Sequence, residues 1–499
     1  MLSLLLWVPL AAGVLGLVLP RRVVGWVAFL GSLVALGLAV ALVVDFDSGA
    51  AGLQHAVDEE WIPDLGVGYQ LGVDGISLFL VAMTALLWSA AVAWSALGGT
   101  AGDRPRSYFF WLMLAETATL GAFLAQDLLL FVLFFDLMLV PFFFLIGSFG
   151  TDTDDGVRRV GATMKMIVYT LVGSLLMLVG AIATAIIASG ASGELTFSLE
   201  ALRGIPLSEG SQAWIFWFFA AAFLVKMPAV PIHGWMPDAY RACPLPVLAL
   251  LSGVLSKVGA YGFLRVVLPL YPDAAIEFQE VVLIVAVAGI LYGSVMAFTQ
   301  TNVRLIAGYS SIAQLGFITL GIFSLRPDEA DGAVLQMVNH GLVVAPMFLV
   351  IAVLAARAGS EDLRRMGGMA MRAPVLAALF LILTLATLAM PGTANFVGEF
   401  YILNGAFQEK AVYAVVASLG VALAAFYALR FYQRAMHNRL PQRIASREIT
   451  VREGAVIAPL VACIVALALY PGLILERGEA SVDAATAAVT EGRSQAGLR

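Results

Sequence analysis

Apolar residues fall in this chain in runs of about twenty, the length that crosses a bilayer as a helix. Such runs lie near residues 1–19, 23–45, 75–98, 109–125, 127–149, 163–189, 213–251, 253–269, 281–299, 302–323, 332–357, 374–408, 411–434 and 455–475. The runs 213–251 and 374–408 are interrupted, and with each counted once the total is fourteen. The pattern predicts an all-α polytopic membrane protein of about 14 transmembrane helices. The first run opens MLSLLLWVPL, with neither a basic leader nor a small-residue cleavage site, and reads as a spanning helix rather than a cleaved signal.

The two interruptions are alike. FLVKMPAVPIHGWMPDAYRACPLPVLALL (223–251) carries prolines at 228, 231, 237, 244 and 246, and LAMPGTANFVGEFYIL (388–403) carries Pro391 and Gly392. Proline removes an amide donor and clashes with the preceding turn. Carbonyls freed at membrane depth are tolerated only where protein or water meets them. One broken helix in each half of a chain is the mark of internal repeats in transporters, although no repeat shows as sequence identity.

Composition fits a bilayer solvent. Of 499 residues 61% are hydrophobic and 12% charged, against roughly 45–50% and about 25% in soluble domains. The net charge of −6 is small and the basic residues sit in short loops, which excludes nucleic acid as a partner. Arg21 and Arg22, Arg104 and Arg106, Arg158 and Arg159, Arg357, Arg364, Arg365 and Arg372, and Arg439, Arg443, Arg447 and Arg452 all fall on one side of the predicted topology. Asp45, Asp47, Asp58, Glu59, Glu60 and Asp64, then Asp273, Glu277 and Glu280, fall on the other. By the positive-inside rule both termini face away from the cytoplasm. Cys243 and Cys463 lack a CxxC partner and imply neither a disulfide framework nor a metal site.

The ionisable groups read as lying at membrane depth are Glu116, Asp136, Lys165, Lys226, His233, Lys257, His340 and Glu399. Such groups are rare at membrane depth and functional by default. The chain has only four lysines (165, 226, 257 and 410) and its other basic residues are arginine. Arginine keeps its proton in proteins, whereas a buried lysine releases it readily. Lys226 stands where the first broken helix opens, and Lys257 stands among small residues in GVLSKVGAYG. An ammonium in a dry site sheds its proton, and a nearby carboxylate holds it there. A separable Asp136–Lys226 pair is therefore a proton switch. Glu399, in the second broken helix, is a natural last acceptor. His233 and His340 could bridge these stations, since imidazole titrates near neutral pH. Glu116 falls early on its run, where interfacial and relay places are both open, and Lys165 lies near a helix end, from which it can snorkel. No GxGxxG, Walker motif, haem ligand pair or CxxC cluster occurs, so redox chemistry belongs to another polypeptide.

FDLMLVPFFFLIGSFG, VKMPAVPIHGWMPDAY, SKVGAYGFLR, IAGYSSIAQLGF, MVNHGL and NFVGEFYIL, in this order and preceded by YQLGVDGISL, resemble the antiporter-like membrane subunits of respiratory complex I, those of the M type most. The resemblance covers about residues 60–440. It implies N-terminal helices 1–3 (1–98), two inverted five-helix repeats, helices 4–8 (109–269) and 9–13 (281–434), with helices 7 and 12 broken, and helix 14 (455–475). It implies a proton-translocating subunit of NADH:quinone oxidoreductase in a bacterial cytoplasmic membrane, with a hydrophilic axis of Asp136, Lys226, Lys257, His340 and Glu399. The chain itself would carry no cofactor or metal. Quinone, FMN and iron–sulfur clusters would belong to partner subunits, with L-type and N-type siblings on either side. The sequence departs from the family in four places. Asp136 replaces the usual Glu, and Tyr240, Gln314 and Asn302 stand where many relatives have His, His and Asp. Tyr240 thus joins His233 and Glu116 as a possible relay group. SKVGAYGFLR is also similar to Mrp-type cation/proton antiporter subunits, which leaves that function, or a place in a related hydrogenase or dehydrogenase, as the alternative.

Overall fold

The computed structural model describes residues 1–50, 52–153, 156–437 and 447–495, which leaves Arg439 and Arg443 of the last arginine loop outside the described residues. Among the described residues eleven helices are long and apolar enough to cross a membrane. The shorter α1 (Leu2–Val18) and the two broken helices complete the fourteen spans expected.

After α1 come α2 (Val24–Asp45), a hairpin of β1 (Gln54–Ile62) and β2 (Val67–Val73), and α3 (Gly75–Gly98). The next span is α4 (Pro105–Leu124), followed by α5 (Leu128–Leu137) and α6 (Leu139–Phe149), one helix interrupted at Met138. Proline at 141 supplies no amide for the carbonyl of Leu137, which places the irregularity just beyond Asp136. Then follow α7 (Arg159–Ser192), the short α8 (Leu199–Arg203), and the broken span made of α9 (Glu209–Lys226) and α10 (Met236–Ala242). The eighth span combines α11 (Leu245–Leu250), α12 (Ser256–Gly262) and α13 (Leu268–Leu270), joined by π-type turns at Leu251–Leu255 and Phe263–Val267. Beyond α14 (Pro272–Glu277) lie α15 (Gln279–Thr299), α16 (Val303–Phe323), α17 (Pro327–Ala358), the second broken span α18 (Pro374–Thr387) and α19 (Ala394–Glu409), α20 (Ala411–Met436), α21 (Val451–Leu469) and α22 (Gly472–Gln495).

The broken span is the fourth of spans 4–8 and again the fourth of spans 9–13. Five is an odd number, so a second unit of the same order must cross the bilayer in the opposite sense. The first break is shorter than its five prolines suggest. Pro228 and Pro231 occupy the turn, Pro237 lies in the first turn of α10 and Pro246 in that of α11, where a missing amide costs nothing. The helix from Leu245 therefore belongs to the eighth span, and the expected run 213–251 divides at Cys243 and Pro244.

Two elements outside the spans went unread in the sequence. The acidic stretch after α2 is an antiparallel hairpin, an exception to the all-α expectation. It bends at Gly66 (φ +64), where a Cβ would lie 1.9 Å from the carbonyl oxygen of Leu195. The tail after 475 is α22, about 36 Å long at 1.5 Å per residue. It lies against α3, α13, α14 and α17. The amide of Gly75 donates to Ser481 Oγ (2.9 Å), and Arg493 donates to the carbonyl of Ser324 (2.9 Å). Hairpin, α8, α14 and α22 share one face, hereafter the hairpin face, and the arginine loops share the other.

Small residues set how closely the spans approach. A Cβ on Gly259 would lie 2.7 Å from both the carbonyl oxygen of Phe223 and Met227 Cγ. Gly259→Val therefore presses α12 off the end of α9. Overpacking of this kind costs typically ~1–3 kcal/mol, and here a backbone atom has to yield. A lower unfolding temperature of the purified protein is the expected result, and an unchanged one would show that the contact is slack.

Candidate functional site

Asp136 sits in the last turn of α5, with Ser174 of α7 beside its carboxyl, and its Oδ1 has no hydrogen-bond partner. Lys226 ends α9 and is buried. Its ammonium lies 4.6 Å from the centroid of the Phe135 ring, the neighbour of Asp136 in sequence. The two charges are close enough to interact, but among the described residues no ion pair within 4.0 Å joins them. Asp reaches about 1.5 Å less far than Glu would from the same backbone. Instead the lysine faces a ring, a contact worth up to about 2 kcal/mol when desolvated. Met138, Phe142, Lys226, Trp235 and Leu255 line a cavity of about 20 Å³ there, room for one water molecule.

Lys257 lies midway along the eighth span, between the two π-type turns. Single π turns inside α-helices recur at functional sites because they release a carbonyl from the regular ladder. The ammonium uses that opening, donating to the carbonyl of Ser252 (2.8 Å) and to Ser256 Oγ (3.3 Å). Ser252 Oγ meets Ser311 Oγ of α16 (3.0 Å), and the Tyr240 hydroxyl lies beside the same Ser252. Tyr240, on the far arm of the first broken helix, thus meets the side chain of the serine whose backbone carbonyl holds Lys257. Among the described residues no carboxylate lies within ion-pair distance of Lys257.

His340 reaches Lys257 because two backbones touch. Gly341 Cα has no side chain where Met83 Sδ (2.3 Å) and the carbonyl of Gly253 (2.7 Å) would meet one. This crossing presses α17 onto the first π turn and brings the imidazole within electrostatic range of the lysine. His340 Nδ1 has no partner, and the ring lines a second cavity of about 20 Å³ with Ser310, Gln314, Asn395 and Tyr427. Beyond it Gln336 Nε2 donates to Gln314 Oε1 (2.7 Å), and Gln314 Nε2 donates to Glu399 Oε1 (2.7 Å). Glu399 lies two turns into α19 and is buried. An amide has both a donor and an acceptor end. Turning both amides over would let the same chain accept from a protonated Glu399, so Gln314 serves either state of the acid.

Lys226, Tyr240, Lys257, His340 and Glu399 are all buried: Tyr240 meets Ser252, whose carbonyl holds Lys257, Gln336 and Gln314 lead to Glu399, and Lys226 stands near Asp136. Other expected members stand apart. His233 lies in the first break, its Nε2 3.1 Å from the Tyr292 hydroxyl and its ring against Tyr292 and Tyr309, rather than between the lysines. Glu116 is in the middle of α4 and fully buried, not interfacial, and accepts from Ser32 Oγ (2.5 Å) on the side of α2. Asn302 caps α16, accepting from the amides of Arg304 and Leu305. Lys165 ties α7 to α10 through Asp238 (2.9 Å) instead of pointing free to the interface.

Reading the sequence for charge missed Gln336, Ser252 and Ser311, whose only signal is position: Gln336 precedes His340 by one helical turn. It also missed the buried ion pair of Arg265 with Asp74 (2.6 Å), which fastens the start of α3 to the eighth span. Among the described residues no three His, Cys, Asp or Glu side chains gather as metal ligands would.

The family profile described as NADH:quinone oxidoreductase/Mrp antiporter, transmembrane, matches residues 125–424. NADH-quinone oxidoreductase subunit M of Escherichia coli (strain K12) is 37% identical over 483 residues, covering 94% of this chain and 92% of that one. A chain of respiratory complex I from Thermus thermophilus with bound NADH superposes with a TM-score of 0.89 at 30% identity, over 98% of this chain and all of that one. A chain of the Mrp complex from Dietzia sp. DQ12-45-1b gives 0.85 over 98% and 99%, at 22% identity, a likeness of fold alone. Matched over more than half its length by the profile and nearly end to end by these relatives, the chain belongs to the NADH:quinone oxidoreductase/Mrp antiporter transmembrane family, in its NADH-quinone oxidoreductase subunit M line.

Proposed function

We propose that the chain is the M-type subunit in the membrane arm of an NADH-quinone oxidoreductase and moves protons through the buried line from Lys226 to Glu399. The observation that carries this reading is the placement of two broken helices and a π-interrupted one so that their titratable groups follow one another. A membrane protein has little reason to bury a charge, at about 2.5–3.5 kcal/mol each on insertion scales, without a use for it. In this reading a proton entering from the arginine face at the first break is taken by Lys226. It passes by way of Tyr240 and the Ser252 hydroxyl, and from there over water, to Lys257, then to His340, and through the cavity and Gln314 to Glu399. Asp136, close to Lys226 but not touching it, holds the proton when a water bridges them and releases it when they part.

By the positive-inside rule the arginine loops support an orientation with both termini on the non-cytoplasmic side of a bacterial cell membrane. The two five-helix units, 109–269, which contains Lys257, and 281–434 act as the repeats, after helices 1–98 and before helix 455–475. Electron transfer takes place in partner subunits that hold FMN, iron–sulfur clusters and quinone, and L-type and N-type siblings flank the chain.

Affinity purification from its native membrane tests the assignment: flavin and iron–sulfur subunits that oxidise NADH should come with the chain. Purification with cation-antiporter subunits alone, or sodium-sensitive growth of the deletion strain, would favour an Mrp-type role; a different electron donor would favour a related hydrogenase or dehydrogenase. Glu399→Ala should lower NADH-driven pumping at least several-fold in complex that still assembles. Normal pumping would remove Glu399 from the path.

A further inference from the structure

Glu329 is buried near the start of α17, and its Oε2 has no hydrogen-bond partner. It shares a face of α17 with Gln336 and His340, seven and eleven residues on. Opposite this face α19 presents two glycines. A Cβ on Gly398 would lie 2.4 Å from Gln336 Oε1, and one on Gly405 would lie 2.3 Å from the Glu329 carboxyl. Between them stands Ile402, fully buried, its Cγ1 filling the space left by Gly321 (2.8 Å) and Gly332 (3.3 Å). The seam between α16, α17 and α19 therefore reads, toward the hairpin face, Gln336 with Glu399, then Ile402, then Glu329. Gln336 and Glu329 are about 10 Å apart along the helix. Past Glu329 the rim is charged. Arg326 pairs with Glu409, Glu409 pairs with Arg493 of α22 (2.6 Å), and Asp328 is next in the chain.

We propose that Glu329 is the outlet carboxylate of this subunit and that Ile402 is the apolar barrier separating it from Glu399. The inference rests on Glu399 being a proton station. When Ile402 moves aside, water connects the two acids. The O–H bond of the Glu399 carboxyl breaks, a proton passes along the water, and an O–H bond forms on the Glu329 carboxylate. That bond then breaks to water at the hairpin face, beside the Arg326–Glu409 pair, and Glu329 is a carboxylate again. No electrons move. An acid in the first turn of a helix also suits the helix dipole, but that role needs neither burial against a glycine nor the barrier.

The test uses assembled complex in sealed vesicles, with NADH-driven acidification and passive proton leak both measured. Glu329→Gln should lower acidification at least threefold, and Glu329→Asp should restore most of it. Ile402→Ser should admit water and raise the leak without NADH several-fold, and Glu329→Gln in the same chain should return the leak to the native level. Native acidification by assembled Glu329→Gln overturns the proposal, and so does an Ile402→Ser leak that the second substitution leaves unchanged. If Glu329→Gln lowers the yield of complex, the leak decides: Ile402→Ser vesicles as tight as native ones overturn it. Glu399→Gln run alongside separates the two levels. Loss there with none at Glu329 ends this inference alone, whereas native pumping by Glu399→Gln ends the reading beneath it.

Discussion

Lys257→Met is expected to cut NADH-driven proton pumping by at least tenfold while the complex still assembles. Methionine matches lysine closely in length and apolar volume, so the eighth span keeps its packing around α9 and α17. What disappears is the ammonium that bonds the carbonyl of Ser252 and Ser256 Oγ. On one side of it lie Tyr240 and Ser252, and on the other His340, with no other ionisable group between them in the line. General acid–base groups contribute typically 10²–10⁴-fold to the steps they serve, so a fall of at least tenfold is a conservative expectation for a proton line with its central station removed. Lys257→Arg separates relay from field: arginine keeps the positive charge but does not release its proton. Pumping should be lost in both variants. Vesicle acidification, compared with quinone reduction by the same membranes, provides the measurement. Native pumping by Lys257→Arg would mean that the charge alone matters, and native pumping by Lys257→Met would remove the residue from the path.

The second large effect is expected at Asp136, and it is asymmetric. Asp136→Asn should reduce pumping about as far as Lys226→Ala, because a neutral amide can neither hold nor repel the proton on Lys226. Asp136→Glu should be tolerated. The carboxylate and the ammonium stand apart by more than an ion-pair distance beside a cavity of about 20 Å³, and the additional methylene extends into that gap by about 1.5 Å. Equal activity of the two Asp136 variants would show that charge at this position is dispensable. Full pumping by Lys226→Ala membranes would end every relay reading through that lysine and favour a structural spacer.

Much of this was legible in the chain because a bilayer leaves few choices. A backbone in hydrocarbon must bond to itself, so runs of apolar residues become helices. The fourteen spans, the sidedness of the arginines and both breaks follow from that rule and from proline's missing amide. The buried ionisable residues were legible for the same reason, since each is conspicuous in an apolar run. The rule stops at the membrane surface. The hairpin Gln54–Val73 and helix α22 lie outside the apolar runs, and α22 buries mainly small side chains such as Ser481, Ala485 and Val489, whose pattern is weak.

The sequence by itself determined the number and order of the spans, the places where two of them break, and which residues carry charge into the core. It did so through local chemistry: hydrophobic length, proline, and the cost of an ion in lipid. Only the tertiary structure decided which charges meet. Distance between helices depends on side chains far apart in the chain. Gly341 against Gly253 brings His340 to Lys257, whereas His233, as promising in sequence, is turned toward Tyr292. The same holds for Asp136 and Lys226, which the tertiary structure leaves close and unjoined.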